Sequence, residues 1–81
     1  MPNFTTQEAE EKIMSIWAEV LGEEDIQAED DFFDLGGSSI AAIRLLPQLA
    51  SAFAIEPEIG LLFDNPTPRE LAAAVLENHL R

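Results

Sequence analysis

The sequence contains no cysteine, a single histidine, and only four basic residues against sixteen acidic ones. Each shortage closes a class of function. Without cysteine there is no disulfide, no thiolate metal site and no thiol nucleophile. With His79 alone there is no histidine cluster for a metal and little room for a histidine-based triad. The shortage of bases leaves a formal net charge of −12, which repels nucleic acid and anionic lipid. No apolar run approaches the ~20 residues of a membrane span, and the N-terminus lacks a basic region followed by an apolar one. The expectation is a cytoplasmic monomer that binds neither nucleic acid nor membrane. At 81 residues the chain has room for one domain, spanning 1–81, which buries only ~60% of the surface it exposes when unfolded. Apolar residues make up 47% and phenylalanine occurs five times, enough to fold despite the acidity. A non-catalytic acidic module that works with larger partners is expected, rather than an enzyme with a pocket of its own.

Proline and glycine mark the joints. Thr5-x-x-Glu8 is a capping-box pattern, and Ala9, Ile13, Ile16, Trp17 and Val20 recur at helical spacing up to Gly22. This predicts a first helix from Thr5 or Thr6 to Leu21, with Trp17 in the core. An acidic loop follows over residues 23–38, pinned by Ile26 and the pair Phe32–Phe33. The second helix reads Ser39 to about Phe53. Its predicted inner face is Ile43, Leu46, Leu49, Ala50 and Phe53, with Ile40, Arg44, Gln48 and Ser51 opposite. Pro47 predicts a kink or a nearby break, because proline removes a helical hydrogen bond at a cost of ~3 kcal/mol. Ile59 to Phe63 fits one or two helical turns. Thr67, Pro68 and Glu70 then mark the start of a last helix continued by Leu71, Ala74, Val75 and Leu80. No stretch shows the two-residue alternation of a strand. The predicted fold is all-α: a small four-helix bundle with three main helices, one short one, and a long loop between the first two.

The segment richest in chemistry is Asp30-Asp31-Phe32-Phe33-Asp34-Leu35-Gly36-Gly37-Ser38-Ser39-Ile40. Aromatic anchors lead into two glycines, which let the backbone turn and leave space beside it. Two serines then stand at a helix start, where free N–H groups and the helix dipole favour negative charge. A phosphoester on such a serine would sit near that N-terminus. Taken alone, Gly-Gly-Ser-Ser reads more simply as a turn and a cap.

The flanking residues change that balance. The segment resembles the core of the peptidyl carrier, or thiolation, domains of nonribosomal peptide synthetases, within the acyl-carrier-protein-like family that binds phosphopantetheine. Asp31, Phe32, Phe33, Leu35, Gly36, Gly37, Ser39 and Ile40 match the pattern. Ile16-Trp17-x-x-Val20-Leu21-Gly22, Leu62-Phe63-x-x-Pro66-Thr67 and Glu70-Leu71-Ala72 are similar to the family's other helices. The resemblance implies that Ser39 is esterified by 4′-phosphopantetheine, donated from coenzyme A by a phosphopantetheinyl transferase. The arm's thiol would then hold an aminoacyl, peptidyl or aryl group as a thioester. Adenylation, condensation, tailoring or thioesterase enzymes would be the further partners. Tethering raises the effective concentration of the carried group at each of them. The implied docking element is the second helix, with Ile40 and Arg44 beside the attachment serine. Two residues depart from the pattern: Ser38, where relatives more often carry His, Asp or Asn, and Pro47.

Two other readings compete. An acyl carrier of polyketide or fatty-acid type usually presents Asp-Ser-Leu and an acidic second helix, whereas residues 39–55 here contain no acid. A non-carrier helical interaction domain would use Gly-Gly-Ser-Ser only as a cap. Asp30, Asp31 and Asp34 lack the spacing of a calcium loop and read as solvated carboxylates, so no metal is expected. His79 reads as a dipole-complementing residue near a helix end. Met1 and an end soon after the last helix suit a stand-alone carrier, although an excised piece of a synthetase would look alike. Charge is uneven along the chain. Residues 1–34 hold eleven acids and one base, net −10; residues 35–55 hold only Arg44; residues 56–81 hold five acids and two bases, net −3.

Overall fold

The computed structural model describes residues 4–79, with side chains up to Glu77. Leu80 and the side chain of His79 lie outside the described residues. Four helices follow one another: α1 over Thr6–Leu21, α2 over Ser39–Phe53, α3 over Ile59–Asp64 and α4 over Pro68–His79. No strand occurs among the described residues. The all-α expectation and the helix boundaries hold closely, because the signals that set them are local.

The start of α1 is a complete capping box. The Glu8 N–H donates to Thr5 Oγ1 at 3.1 Å, and the Thr5 N–H donates to Glu8 Oε1 at 2.9 Å. Gly22 ends α1 in the left-handed region at φ 70°, a conformation that glycine adopts without a Cβ clash. At α4 the Glu70 N–H donates to Thr67 Oγ1 at 3.1 Å. The Thr67 hydroxyl in turn donates to the Glu70 carboxylate at 3.0 Å. α2 runs unbroken through Pro47. The proline is exposed, so the carbonyl that loses its helical partner faces the solvent side, where water can satisfy it.

α1 packs against both α2 and α4, while α3 bridges α2 and α4. The core between them is built of apolar residues, Ala9, Ile13, Ile16 and Trp17 from α1, Ala42, Leu45, Leu49 and Phe53 from α2, Leu62 from α3, and Leu71, Ala72 and Val75 from α4, and encloses one polar atom without a partner, Trp17 Nε1. Ile26 and Phe32 enter it from the long loop. That loop is also tied by its backbone. The Phe32 N–H donates to the Pro66 carbonyl at 2.8 Å, and the Arg69 N–H donates to the Ala28 carbonyl at 3.0 Å. The Arg69 guanidinium adds a 2.6 Å ion pair with Glu29, exposed on both sides and so of small energetic weight.

Two sequence expectations need correction. The inner face of α2 is Ala42, Leu45, Leu49 and Phe53; Leu46 and Ala50 are half-buried and Ile43 is 58% exposed. The buried stripe is therefore rotated by roughly 60° from the predicted one, at 100° per residue. Reading the face by side-chain size favours isoleucine over alanine, whereas close helix packing admits the small Ala42 at the contact. The second correction concerns the phenylalanine pair. Only Phe32 reaches the core; Phe33 stays at the surface at 37% exposure.

Candidate functional site

The site is built where the long loop turns into α2. Asp31 organises the approach: its Oδ1 accepts from the N–H groups of Phe33 at 2.8 Å and Asp34 at 3.2 Å. Asp30 Oδ2 accepts from the Gln27 N–H at 2.8 Å. These carboxylates therefore tie the loop to itself rather than standing only in solvent. Among the described residues no group of three acidic, histidine or cysteine side chains could hold a metal ion.

The two glycines then perform different tasks. Gly36 lies at φ 95° with open space around it, so its requirement is conformational. Gly37 is constrained by space instead. A Cβ placed there would overlap the Phe32 ring and come within 2.6 Å of the Phe32 carbonyl oxygen.

The two serines also separate. Ser38 is the N-cap of α2, with extended backbone, and its Oγ accepts from the Ala41 N–H at 3.2 Å. Its carbonyl accepts from the Ala42 N–H at 2.9 Å. Ser39 is the first residue of the helix and is exposed. The N–H groups of Ser39 and Ile40 have no intrahelical partner by geometry. The first turn carries no acid, so nothing there opposes an anion. An ester-linked phosphate on Ser39 therefore fits this helix start both sterically and electrostatically.

Ile40 is 71% exposed, and Ile43, Phe33 and Phe63 are the other large exposed apolar side chains. Phe33 and Phe63 stack with ring centroids 5.5 Å apart and planes 19° from parallel. Ile40 and Arg44 are one turn apart on α2 and both exposed, as the spacing predicts. Ile43 and Phe63 were hidden from sequence reasoning because each belongs to an apolar run that reads as core. The one available sign was angular: Ile43 lies between the buried stripe and Ile40.

A family model described as a phosphopantetheine attachment site matches residues 11–75. Among curated relatives, the probable non-canonical nonribosomal peptide synthetase CymA of Salinispora arenicola is 39% identical over 94% of this chain. The chain spans 1% of that relative's length. Among solved structures, BlmI, a type-II acyl carrier protein from Streptomyces verticillus involved in bleomycin biosynthesis, superposes with a TM-score of 0.85 at 30% identity, covering 89% of this chain and 87% of BlmI. A chain in the complex of the phosphopantetheine transferase Sfp with coenzyme A and a peptidyl carrier protein superposes with a TM-score of 0.82 at 32% identity, covering 94% and 95% of the two chains.

Proposed function

We infer the function from one premise: the chain belongs to the family of phosphopantetheine-attachment carrier domains. Ser39 is the attachment residue, and the domain presents a tethered aminoacyl, peptidyl or aryl group to partner enzymes in peptide-type natural-product assembly. The observation that carries this reading is the division of labour between the serines. The Ser38 hydroxyl is engaged in capping α2, while the Ser39 hydroxyl is exposed at the first helical position. The bound arm supplies a terminal thiol, and with it the thioester chemistry that a chain without cysteine lacks. The chain's own residues hold the attachment point at a helix start whose first turn carries no acid, and leave the exposed Ile40 next to it. The domain contributes position rather than bond-making.

The partners proposed are a phosphopantetheinyl transferase, an adenylation enzyme, and condensation, tailoring or thioesterase enzymes. They contact the outer face of α2 around Ile40 and Arg44. An acyl carrier of polyketide or fatty-acid type is the second reading; the likeness to the A1-type ACP domain from module 5 of MLSA1, at 30% identity and a TM-score of 0.81, favours an acyl carrier without naming its type. The acid-free stretch 39–55 weighs against it. Loading by an amino-acid adenylating enzyme, set against loading by a malonyl transferase, separates the two.

The test of attachment is direct. Incubation with coenzyme A and a broad-range phosphopantetheinyl transferase, followed by intact mass measurement, is expected to show one added arm. Ser39→Ala abolishes the gain. Ser38→Ala keeps it, while losing about 1 kcal/mol of stability with the cap. An unmodified wild-type chain, or an arm that survives Ser39→Ala, defeats the assignment.

A further inference from the structure

Phe32 is fixed from several sides. Its side chain is fully buried. Its ring meets Trp17 edge-to-face with centroids 5.1 Å apart, and its N–H is held by the Pro66 carbonyl at 2.8 Å. It is therefore part of the core, not of the mobile surface of a loop. Gly37 lies directly on it. The Gly37 N–H donates to the Phe32 carbonyl at 3.0 Å, and the ring fills the volume that any Cβ at Gly37 would need. Gly37 is followed at once by the N-cap Ser38 and then by Ser39, so little slack separates the ring from the attachment hydroxyl. A contact of this kind fixes where the chain enters α2.

We propose that Phe32 is a positioning residue for modification at Ser39: its ring is the floor on which Gly37 rests, and the closeness of that contact aims the Ser39 hydroxyl at the pantetheine-bearing phosphorus of coenzyme A. There the Ser39 O–P bond forms as the pyrophosphate P–O bond breaks, adenosine 3′,5′-bisphosphate leaves, and the hydroxyl proton passes to a base of the transferase or to water. The inference rests on the attachment reading above. It gives the paired glycines distinct roles. Gly36 supplies a backbone angle, and Gly37 supplies absence of volume above a core aromatic ring. Core packing thus reaches the reactive hydroxyl through one residue, Phe32, by its ring and by its carbonyl, with Trp17 behind it.

The consequence is a compensation that ordinary destabilisation would not produce. Gly37→Ala adds one methyl against the ring, so Ser38 and Ser39 must shift. A misplacement near 1 Å at a reacting centre costs rate steeply, so kcat/KM for arm transfer is expected to fall by about tenfold or more. The loss falls mainly on kcat if the displaced hydroxyl still binds with the transferase. Phe32→Leu removes Cε2, one of the two ring atoms that crowd the added methyl, while a branched Cδ and the Phe32 carbonyl oxygen stay in place. In the double variant Phe32→Leu, Gly37→Ala the transfer rate is expected to recover part of what Gly37→Ala loses, a coupling of the kind seen for residues in contact, with the remainder set by the Phe32 carbonyl oxygen 2.6 Å from the added methyl. Gly36→Ala is the control, because its penalty lies in the backbone angle and Phe32→Leu leaves it uncorrected.

The experiment measures arm transfer from coenzyme A by intact mass for wild type, the three single variants and both double variants. Trp17 fluorescence on thermal unfolding reports the folded fraction of each. Rescue of Gly37→Ala but not of Gly36→Ala supports the proposal. If Gly37→Ala transfers at the wild-type rate, or if Phe32→Leu deepens its defect, the proposal is overturned. Should Gly37→Ala fail to fold, the double variant must both fold and accept the arm. Failure there also overturns it. A wild-type chain that accepts no arm defeats the attachment reading and this inference together, whereas a loading wild type beside an equally competent Gly37→Ala defeats this inference alone.

Discussion

α1 and α2 are neighbouring helices of nearly equal length, 16 and 15 residues, and they hide similar apolar stripes. Their outer faces differ. α1 shows water Glu8, Glu11, Lys12, Ser15 and Glu19, whereas α2 shows it Ile40, Ile43, Arg44, Pro47, Gln48 and Ser51. Burial alone therefore does not explain the composition of α2. A helix that needed only to cover the core could carry the same polar coat as its neighbour. Exposed single apolar residues are ordinary, but here two large ones, Ile40 and Ile43, lie one turn apart and close in sequence to Ser39. The contrast separates a helix with a polar outer face from one that keeps large apolar side chains in water, which is what the proposed docking at α2 requires.

The contrast is broken most forcefully from the inside. Leu45→Ala removes a fully buried side chain, and Leu→Ala in a packed core costs about 3 kcal/mol, with the exact value set by how far the site collapses. Ile43→Ala, two residues earlier and exposed, is expected to change stability by less than about 0.5 kcal/mol. Urea unfolding of the two variants measures the difference. Equal losses would return Ile43 to the core and erase the outer face as a separate surface.

The second break comes from the outside. Ile40→Glu places a charge where the side chain is 71% exposed, so the thermal midpoint is expected to stay at the wild-type value. Arm transfer by the phosphopantetheinyl transferase is expected to fall about tenfold, the loss of one well-packed contact at an interface. Unchanged loading and unchanged onward transfer to a partner enzyme would reduce Ile40 to tolerated exposure.

These two substitutions also mark how far the sequence could be read. Helix limits were legible because caps are written in adjacent residues: Thr5 with Glu8, Gly22, and Thr67 with Glu70 act within one turn. Ser39, the serine proposed for attachment, was singled out by its spacing after Gly37. The facing of α2 was not, since Ala42 contributes little apolar area and the geometry of helix approach is tertiary. The opposite fates of Phe32 and Phe33 were equally hidden. Two identical side chains sit side by side, and the bond from the Phe32 N–H to Pro66, 34 residues away along the chain, is part of what orients them. Gly37 shows the same limit. Its glycine was visible, but the ring beneath it became evident only in three dimensions.

The smallest expected effect concerns charge, and it sharpens the comparison on a different axis. The acidity is concentrated before the site: residues 1–34 carry net −10 and residues 35–55 net +1. On the proposed docking, long-range attraction toward a basic partner would originate on α1 and the acidic loop, and contact at α2 would be largely apolar. Screening acts on the first and spares the second, because the Debye length shrinks from about 10 Å at 0.1 M salt to about 3 Å at 1 M. Raising salt over that range is expected to slow association with the transferase by about threefold while leaving dissociation nearly constant, as for other sterically specific, electrostatically steered pairs. Ile40→Glu is expected to do the reverse, speeding dissociation more than it slows association. Stopped-flow binding, with both rate constants measured at each salt concentration for wild type and Ile40→Glu, resolves the two contributions. An association rate indifferent to salt would leave the charge of α1 with a role in solubility alone, and the division of labour between the two helices would rest on α2.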